Sequence, residues 1–286
     1  MRRNQNQSRA LNWTRQDIEQ LMFFPGGRFT RVNGILSGLI ATVLTVGFYA
    51  ILTLSSLSET SFGNIFLERG PTQYAVAFLF FWSLTILVIK RSKLRLQRRA
   101  LEASVLPDEL GFIISSSTVD QVLQRIHDLC DNSAHFLVLN RIELALSNLR
   151  NLGRVTDVDE ILRAQASHDE SQMETSYALI QGFVWAIPVL GFIGTVLGLS
   201  KAIGNFTSVL GTGEDISAIT GALGKVTSGL ATAFDTTLVA LVAALVVQLL
   251  VVFTKKAEEE FLDEAMEYGR RNIVGRLRIE TPDEDE

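Results

Sequence analysis

The sequence predicts an all-α membrane protein with four transmembrane helices, two of which are long and extend into a cytoplasmic helical domain. Apolar residues are concentrated in four blocks, 32–57, 71–89, 178–203 and 226–254. Each block is long enough for a helix to cross a hydrocarbon core, which takes about 20 residues. Charged residues make up 20% of the chain but are nearly absent inside the blocks. The distribution of charge, more than the average hydropathy, therefore predicts the fold class.

Basic residues predict the orientation of the four spans. Lysine and arginine collect in cytoplasmic loops, and the loops 58–70 and 204–225 carry little basic charge. The basic groups lie before the first block (Arg28, Arg31), after the second (Lys90, Arg91, Lys93, Arg95, Arg98, Arg99) and after the fourth (Lys255, Lys256). We therefore expect a multi-pass protein of the cytoplasmic (inner) membrane with both termini in the cytoplasm.

Residues 1–31 are expected to form a cytoplasmic N-terminal segment. The first block starts too far along the chain for a signal peptide, and no small-residue cleavage site of the A-x-A kind follows it. The apolar patch Leu21–Pro25 has two interpretations. It lies at the membrane surface, or it is one apolar turn in a disordered leader.

Residues 90–177 are predicted to form the cytoplasmic helical domain. Apolar residues recur at three-and-four spacing from Thr118 to Leu152, with a helix start at Ser117 or Thr118 and a stop at Gly153. A second helix begins near Thr156 and meets no breaker before the third block, so we expect it to run straight into the membrane. The domain either stiffens the long helices or docks a cytoplasmic partner.

The fourth block is expected to continue as a cytoplasmic helix over 255–279. A helix of about fifty residues would be about 75 Å long, enough to cross the bilayer and project well beyond it. The acidic residues 280–286 are typical of a disordered tail.

Chemistry-bearing clusters are not apparent in the sequence. Cys130 is the only cysteine, and the three histidines are scattered without metal-ligand spacing. We find no glycine-rich phosphate loop, activated nucleophile or paired acid. The sequence therefore favours a protein that is not an enzyme, takes no cofactor or metal, and binds no nucleic acid.

Asp235 is the only ionisable residue in the block 226–254. A carboxylate near the centre of a bilayer costs about 2.5–3.5 kcal/mol on insertion scales and usually faces a bundle interior or a water-filled cavity. Thr236 and Thr237 follow it, and their hydroxyls can donate and accept hydrogen bonds. The composition indicates an ion path. The structural alternative is a carboxyl group that hydrogen-bonds a hydroxyl or backbone group on the second or third span.

The third block carries small residues at helical spacing. Gly191, Gly194 and Gly198 share one helix face, which lets helix backbones approach closely in lipid. Pro188 removes a backbone hydrogen bond and kinks the helix. Thr195 lies beside the glycine strip, where it either bonds back to its own helix or lines a pore.

These two spans resemble the MotA/TolQ/ExbB proton channel family. The sequence from Pro188 to Gly198 reads P-x-L-G-x-x-G-T-V-x-G, and Gly229 to Leu241 reads G-L-x-x-A-F-x-x-T-x-x-A-L, close to the family pattern G-I-x-x-A-L-x-x-T-x-x-G-L. The resemblance covers about 182–252, a quarter of the chain. The four-span topology is similar to that of MotA, and the sequence motif of the third span is closer to that of ExbB and TolQ.

The resemblance implies a role, partners and site residues. Thr195 and Thr237 match the two pore-facing threonines of the family. Family members assemble as a homopentamer around a dimer of single-span ExbD/TolR/MotB-like partners, and the partner carries the essential aspartate. The implied protein is a proton- or sodium-conducting stator subunit that couples ion flow to mechanical work or envelope transport.

One departure from the family pattern bears on Asp235. ExbB and TolQ have a glutamate five residues before the span-four threonine, where this chain has Thr232. Asp235 is about 200° around the helix from Thr237, so the two cannot face one point. Either Asp235 lies at an interface between subunits, or it faces the pore and Thr236 takes the relay role. A non-conducting oligomeric scaffold with long cytoplasmic helices is the rival function, and it leaves the polar cluster unexplained.

Overall fold

The computed structural model describes residues 11–103, 105–106, 112–115, 117–152, 155–210 and 216–277. Over these residues the chain is α-helical, and its β-structure is limited to isolated bridges. The predicted helix stop at Gly153 and the acidic tail 280–286 lie outside the described residues. The helices are α1 (Trp13–Gln16), α2 (Ile18–Leu21), α3 (Gly34–Leu54), α4 (Ser61–Leu67), α5 (Pro71–Glu102), α6 (Val119–Leu129), α7 (Leu137–Leu152), α8 (Val155–Ser176), α9 (Ala178–Leu210) and α10 (Ile216–Asn272).

Four helical stretches are long and apolar enough to cross a membrane. They are α3, α5, a 48-residue stretch from Asp157 to Gly204 and a 54-residue stretch from Leu223 to Arg276. The all-α fold class with four membrane helices, two of them long, is confirmed. The third stretch contains one irregular residue, Tyr177, whose N–H donates to the carbonyl of Glu174 at 3.1 Å. Helical sequence therefore runs almost unbroken from the predicted cytoplasmic domain into the third span.

The chain forms two compact units. One comprises Met1–Asn33, Val88–Tyr177 and Phe253–Glu286, and the other comprises Gly34–Leu87 and Ala178–Val252. We call them the polar unit and the membrane unit, because the second contains the apolar part of each long helix. Helices α5 and α10 contribute residues to both units.

The polar unit has a conventional hydrophobic core. Helix α6 buries the apolar face that its spacing predicts, and α7 packs on it. The expected single helix from Thr118 to Leu152 is wrong, because the chain leaves the helix between α6 and α7. The carboxylate of Asp131, in this break, accepts hydrogen bonds from the backbone N–H groups of Trp13 and Thr14, both at 3.0 Å. A contact with the distant N-terminal segment thus outweighs the local helical pattern.

The N-terminal segment packs into the polar unit from Leu11 onward. Trp13 is fully buried and stacks on the imidazole ring of His135 with 5.3 Å between ring centroids. The apolar patch that begins at Leu21 stays exposed, and the side chain of Phe23 is 98% accessible. The part of this segment that the structure describes is therefore anchored, with an apolar turn left at its surface.

Candidate functional site

Helices α9 and α10 pack with their backbones nearly in contact. A Cβ atom built on Gly191 would lie 2.5 Å from the Cβ of Ala240, and one on Gly198 would lie 3.0 Å from the backbone nitrogen of Ala233. On Gly194 it would lie 2.7 Å from the Oγ1 of Thr236. Only hydrogen fits at these positions without displacing α10. Small residues are the usual means of close helix approach in lipid, where apolar burial does not drive association.

Thr195 and Thr237 occupy matching positions on the two packed helices. Thr195 follows Gly191 by four residues, and Thr237 follows Ala233 by four, so each is offset by about 40° from a contact residue in the same sense. The contacts pair Gly191 with Ala240 and Gly198 with Ala233, so the two helices run antiparallel. In an antiparallel pair, equal offsets bring both side chains to the same edge. We call this side of the α9–α10 pair the threonine edge.

The two threonine hydroxyls are partly occupied by backbone carbonyls. The hydroxyl of Thr237 donates to the carbonyl of Gly191 at 3.2 Å and of Ala233 at 3.3 Å. The hydroxyl of Thr195 donates to the carbonyl of Phe192 in its own helix at 2.6 Å. Each hydroxyl oxygen keeps lone pairs that can accept from water. The large side chains around them are apolar and exposed: Phe192, Leu199, Leu230, Phe234 and Leu241.

Thr236 lies away from the threonine edge. It is 1% exposed, and its hydroxyl donates to the carbonyl of Ala233 at 3.0 Å. Its side chain faces Gly194, and the hydroxyl of Thr72 at the start of α5 lies against the same glycine. The structure therefore brings Thr195 and Thr237 to one edge and places Thr236 inside the helix contact.

Asp235 forms an ion pair with Arg69. The distance from Asp235 Oδ2 to Arg69 Nη2 is 3.0 Å, and Arg69 Nη1 donates to the hydroxyl of Thr232 at 3.2 Å. Arg69 lies two residues before α5 begins at Pro71. The carboxylate of Asp235 therefore lies beside the segment that leads into α5. Its partner is the guanidinium group of Arg69, whereas the structural alternative drawn from the sequence named a hydroxyl or backbone group on the second or third span.

Sequence reasoning missed two residues of this region. Arg69 is the only basic residue in the loop 58–70. A single basic residue in this loop could have indicated that it binds a specific acidic partner. Gln248 is exposed and is the only polar side chain between Thr237 and Thr254. Eleven helical residues turn through about 20° net, so Gln248 continues the threonine edge along α10.

Pro188 lies within α9, one turn before the glycine contacts.

Among the described residues, no cluster of three or more histidine, cysteine or acidic side chains is arranged to hold a metal ion. The chemistry of the region is that of hydroxyl and amide groups on an apolar helix pair.

Four apolar helices with this packing describe a multi-pass membrane protein. Residues 139–267 match the model of the MotA/TolQ/ExbB proton channel family. The match contains both sequence patterns that resemble the family and extends into α7 and α8, so the recognition made from the sequence is confirmed. Comparison with curated proteins and with solved structures gives no match. A match to this family supports a proton channel or stator-like role.

Proposed function

We propose that this protein is the channel-forming stator subunit of a proton- or sodium-driven machine in the cytoplasmic membrane, with both termini inside. It works with an ExbD/TolR/MotB-like partner and couples ion flow to mechanical work or envelope transport. The observation that supports this proposal best is the threonine edge, where Thr195 and Thr237 lie on the same side of a tightly packed helix pair.

The surroundings of the threonine edge support an assembled pore. Helix α5 also packs on α10, where Val76 clusters with Ala240 and Ala244. On the threonine edge, Thr195 and Thr237 remain partly exposed and Gln248 is exposed. Exposed hydroxyl and amide groups on a membrane helix are poorly solvated by lipid and gain from a water-filled cavity. A ring of five copies with this edge inward would enclose a pore lined by Thr195, Thr237 and Gln248.

The mechanism follows from the chemistry of these groups. An aspartate of the partner takes up a proton from outside, and the neutral carboxyl group loses its attraction to water held by the pore hydroxyls. The weakened contact lets the ring and the partner dimer move by one subunit relative to each other. The aspartate then meets the next set of hydroxyls and releases the proton inside. Thr195 and Thr237 position water, and the partner supplies the titrating group.

Proton flux into liposomes tests the proposal, with the chain co-assembled with the partner encoded beside it. Thr237→Val removes the hydroxyl at nearly constant shape, and we expect flux to fall to background while the complex stays assembled. Thr53→Val is the matched control, because Thr53 is an exposed threonine on α3 that bonds only to its own helix. Normal flux in an assembled Thr237→Val complex would overturn the role of the threonine edge.

A non-conducting oligomeric scaffold is the second candidate. The Arg69–Asp235 pair favours it, since the pair gives Asp235 a structural role and removes one polar group from the candidate path. A scaffold predicts that native, fully assembled complexes pass no protons in the same liposomes. Flux that requires both the partner and the Thr237 hydroxyl would exclude it.

A further inference from the structure

The polar unit contains a cavity that the channel proposal does not use. Its volume is about 280 Å³, and most of its wall comes from three chain segments: residues 28–31, the last turns of α8, and α10 around Glu258 and Phe261. The volume is close to the lower end of the range for small-molecule sites, roughly 300 Å³. A phosphate group with a short organic substituent fits such a space.

The cavity wall carries two acids and two arginines, and only the arginines are available to a ligand. Its two acids already have partners: Asp169 accepts from Arg141 Nε at 2.6 Å, and Glu258 accepts from Lys90 Nζ at 3.2 Å. The two arginines of the wall, Arg28 and Arg31, are exposed and form no ion pair with a described residue. Two guanidinium groups therefore remain free to bind an anion, and the planar guanidinium fork matches phosphate oxygens.

The backbone that carries the two arginines is fixed in place. Lys93 Nζ donates to the carbonyls of Gly27 at 3.3 Å and Arg31 at 2.8 Å. The carboxylate of Glu19 accepts from the backbone N–H of Gly27 at 3.2 Å and of Asn33 at 2.6 Å. Because the segment is held at both ends, a ligand would meet arginines on a positioned loop.

The rest of the cavity wall contains both polar and apolar side chains. Thr175 and His168 contribute a hydroxyl and an imidazole, and Phe29, Met173 and Phe261 contribute apolar surface. A free inorganic anion would make no favourable contact with the apolar surface. An amphipathic phosphate ester uses both.

Each wall segment lies beside a membrane span in the chain. Arg31 precedes the start of α3 by three residues, Ser176 precedes the start of α9 by two, and Glu258 follows the membrane unit by six. The ligand source that fits these positions is the leaflet itself. We propose that the cavity binds the phosphate group of an anionic phospholipid, with Arg28 and Arg31 as its ligands.

Lipid retention measured by native mass spectrometry tests the proposal on the assembled complex. The complex is released from detergent after addition of phosphatidylglycerol or of phosphatidylcholine, and bound lipids are counted per protomer. We expect retained phosphatidylglycerol, and a loss of about tenfold in apparent affinity in Arg28→Gln/Arg31→Gln, since two charge-assisted hydrogen-bonding groups are removed. Arg28→Lys/Arg31→Lys keeps the charge without the fork and should recover part of the binding.

Arg91→Gln/Arg95→Gln is the matched control. It removes the same amount of charge near a span, and these two exposed arginines of α5 do not line the cavity. Equal retention in the native protein and Arg28→Gln/Arg31→Gln would overturn the proposal. So would an equal loss in both arginine pairs, which would indicate general surface attraction. In a third arm, stabilisation of the native complex by glycerol 3-phosphate or inorganic phosphate, without phosphatidylglycerol retention, would assign a soluble phosphate ligand and overturn the lipid.

Discussion

The polar unit and the membrane unit hold their helices together by opposite means. In the polar unit, large side chains fill the core, and four ion pairs of the described residues are almost completely buried: Lys90–Glu258, Lys93–Asp17, Lys93–Glu19 and Arg141–Asp169. In the membrane unit, the closest helix contact depends on residues that have no side chain, at Gly191, Gly194 and Gly198. Water drives burial of side chains in the first unit, whereas in lipid the remaining gain comes from close backbone approach.

The Lys90 cluster shows how strongly the polar unit depends on paired charges. Lys90 Nζ donates to Glu258 and to the hydroxyl of Ser176 at 2.8 Å, and it lies 4.1 Å from the centre of the Tyr177 ring. Burial lowers the pKa of Lys90, and the neighbouring Glu258 carboxylate opposes that shift. The cluster joins α5, α8 and α10 through one ammonium group.

The largest predicted effect is removal of one partner of this cluster. Glu258→Ala leaves a buried ammonium group without its counterion, and we expect destabilisation of about 3–5 kcal/mol. The double variant Lys90→Met/Glu258→Leu removes both charges and should recover most of the loss. Thermal unfolding of the purified protein in detergent measures both. If the double variant were as unstable as Glu258→Ala, volume and packing would matter more than the pairing of charge.

The next effect comes from the glycine contact. Gly191→Ala places a methyl group against Ala240, so we expect overpacking that costs about 1–3 kcal/mol and a lower yield of assembled protein in size-exclusion chromatography. Gly182→Ala is the control on the same helix, because a Cβ atom there meets nothing within 4 Å. It should stabilise the helix by about 0.5–1 kcal/mol. Opposite signs of the change in stability for the two variants distinguish a packing contact from a general preference for glycine in α9. Changes of the same sign would contradict the close approach of α9 and α10.

The smallest effect on stability is expected at the Arg69–Asp235 pair. Both side chains are partly exposed, and such pairs contribute up to about 1 kcal/mol. A double-mutant cycle with Arg69→Gln and Asp235→Asn should give a coupling of that size. Flux through assembled Asp235→Asn complexes should persist, since the acid lies off the threonine edge. Loss of flux in Asp235→Asn but not in Arg69→Gln would instead place the carboxylate in the ion path.

The sequence predicted what depends on local periodicity. The four spans follow from runs of apolar residues, and the glycine face follows from three-and-four spacing in α9. The partner of Asp235 was not predictable in this way, because Arg69 is distant in the chain. Arg69 also contacts Thr232, which is 163 residues away. The interruption between α6 and α7 has a similar origin, because Asp131 is held by Trp13, 118 residues away. Non-local polar contacts leave no periodic signal.

Pro188 has a mechanical consequence. A proline has no N–H group, so the carbonyl of Val184 receives no helical hydrogen bond from it, and the proline ring crowds that carbonyl. Bending α9 at this turn therefore stretches one hydrogen bond fewer than bending it elsewhere. The glycine contact with α10 begins three residues later and resists separation. The third span thus has a turn that bends easily at Pro188, followed by a tight contact with α10. A force applied to one end of α9 therefore bends the helix elastically before it separates the helix pair.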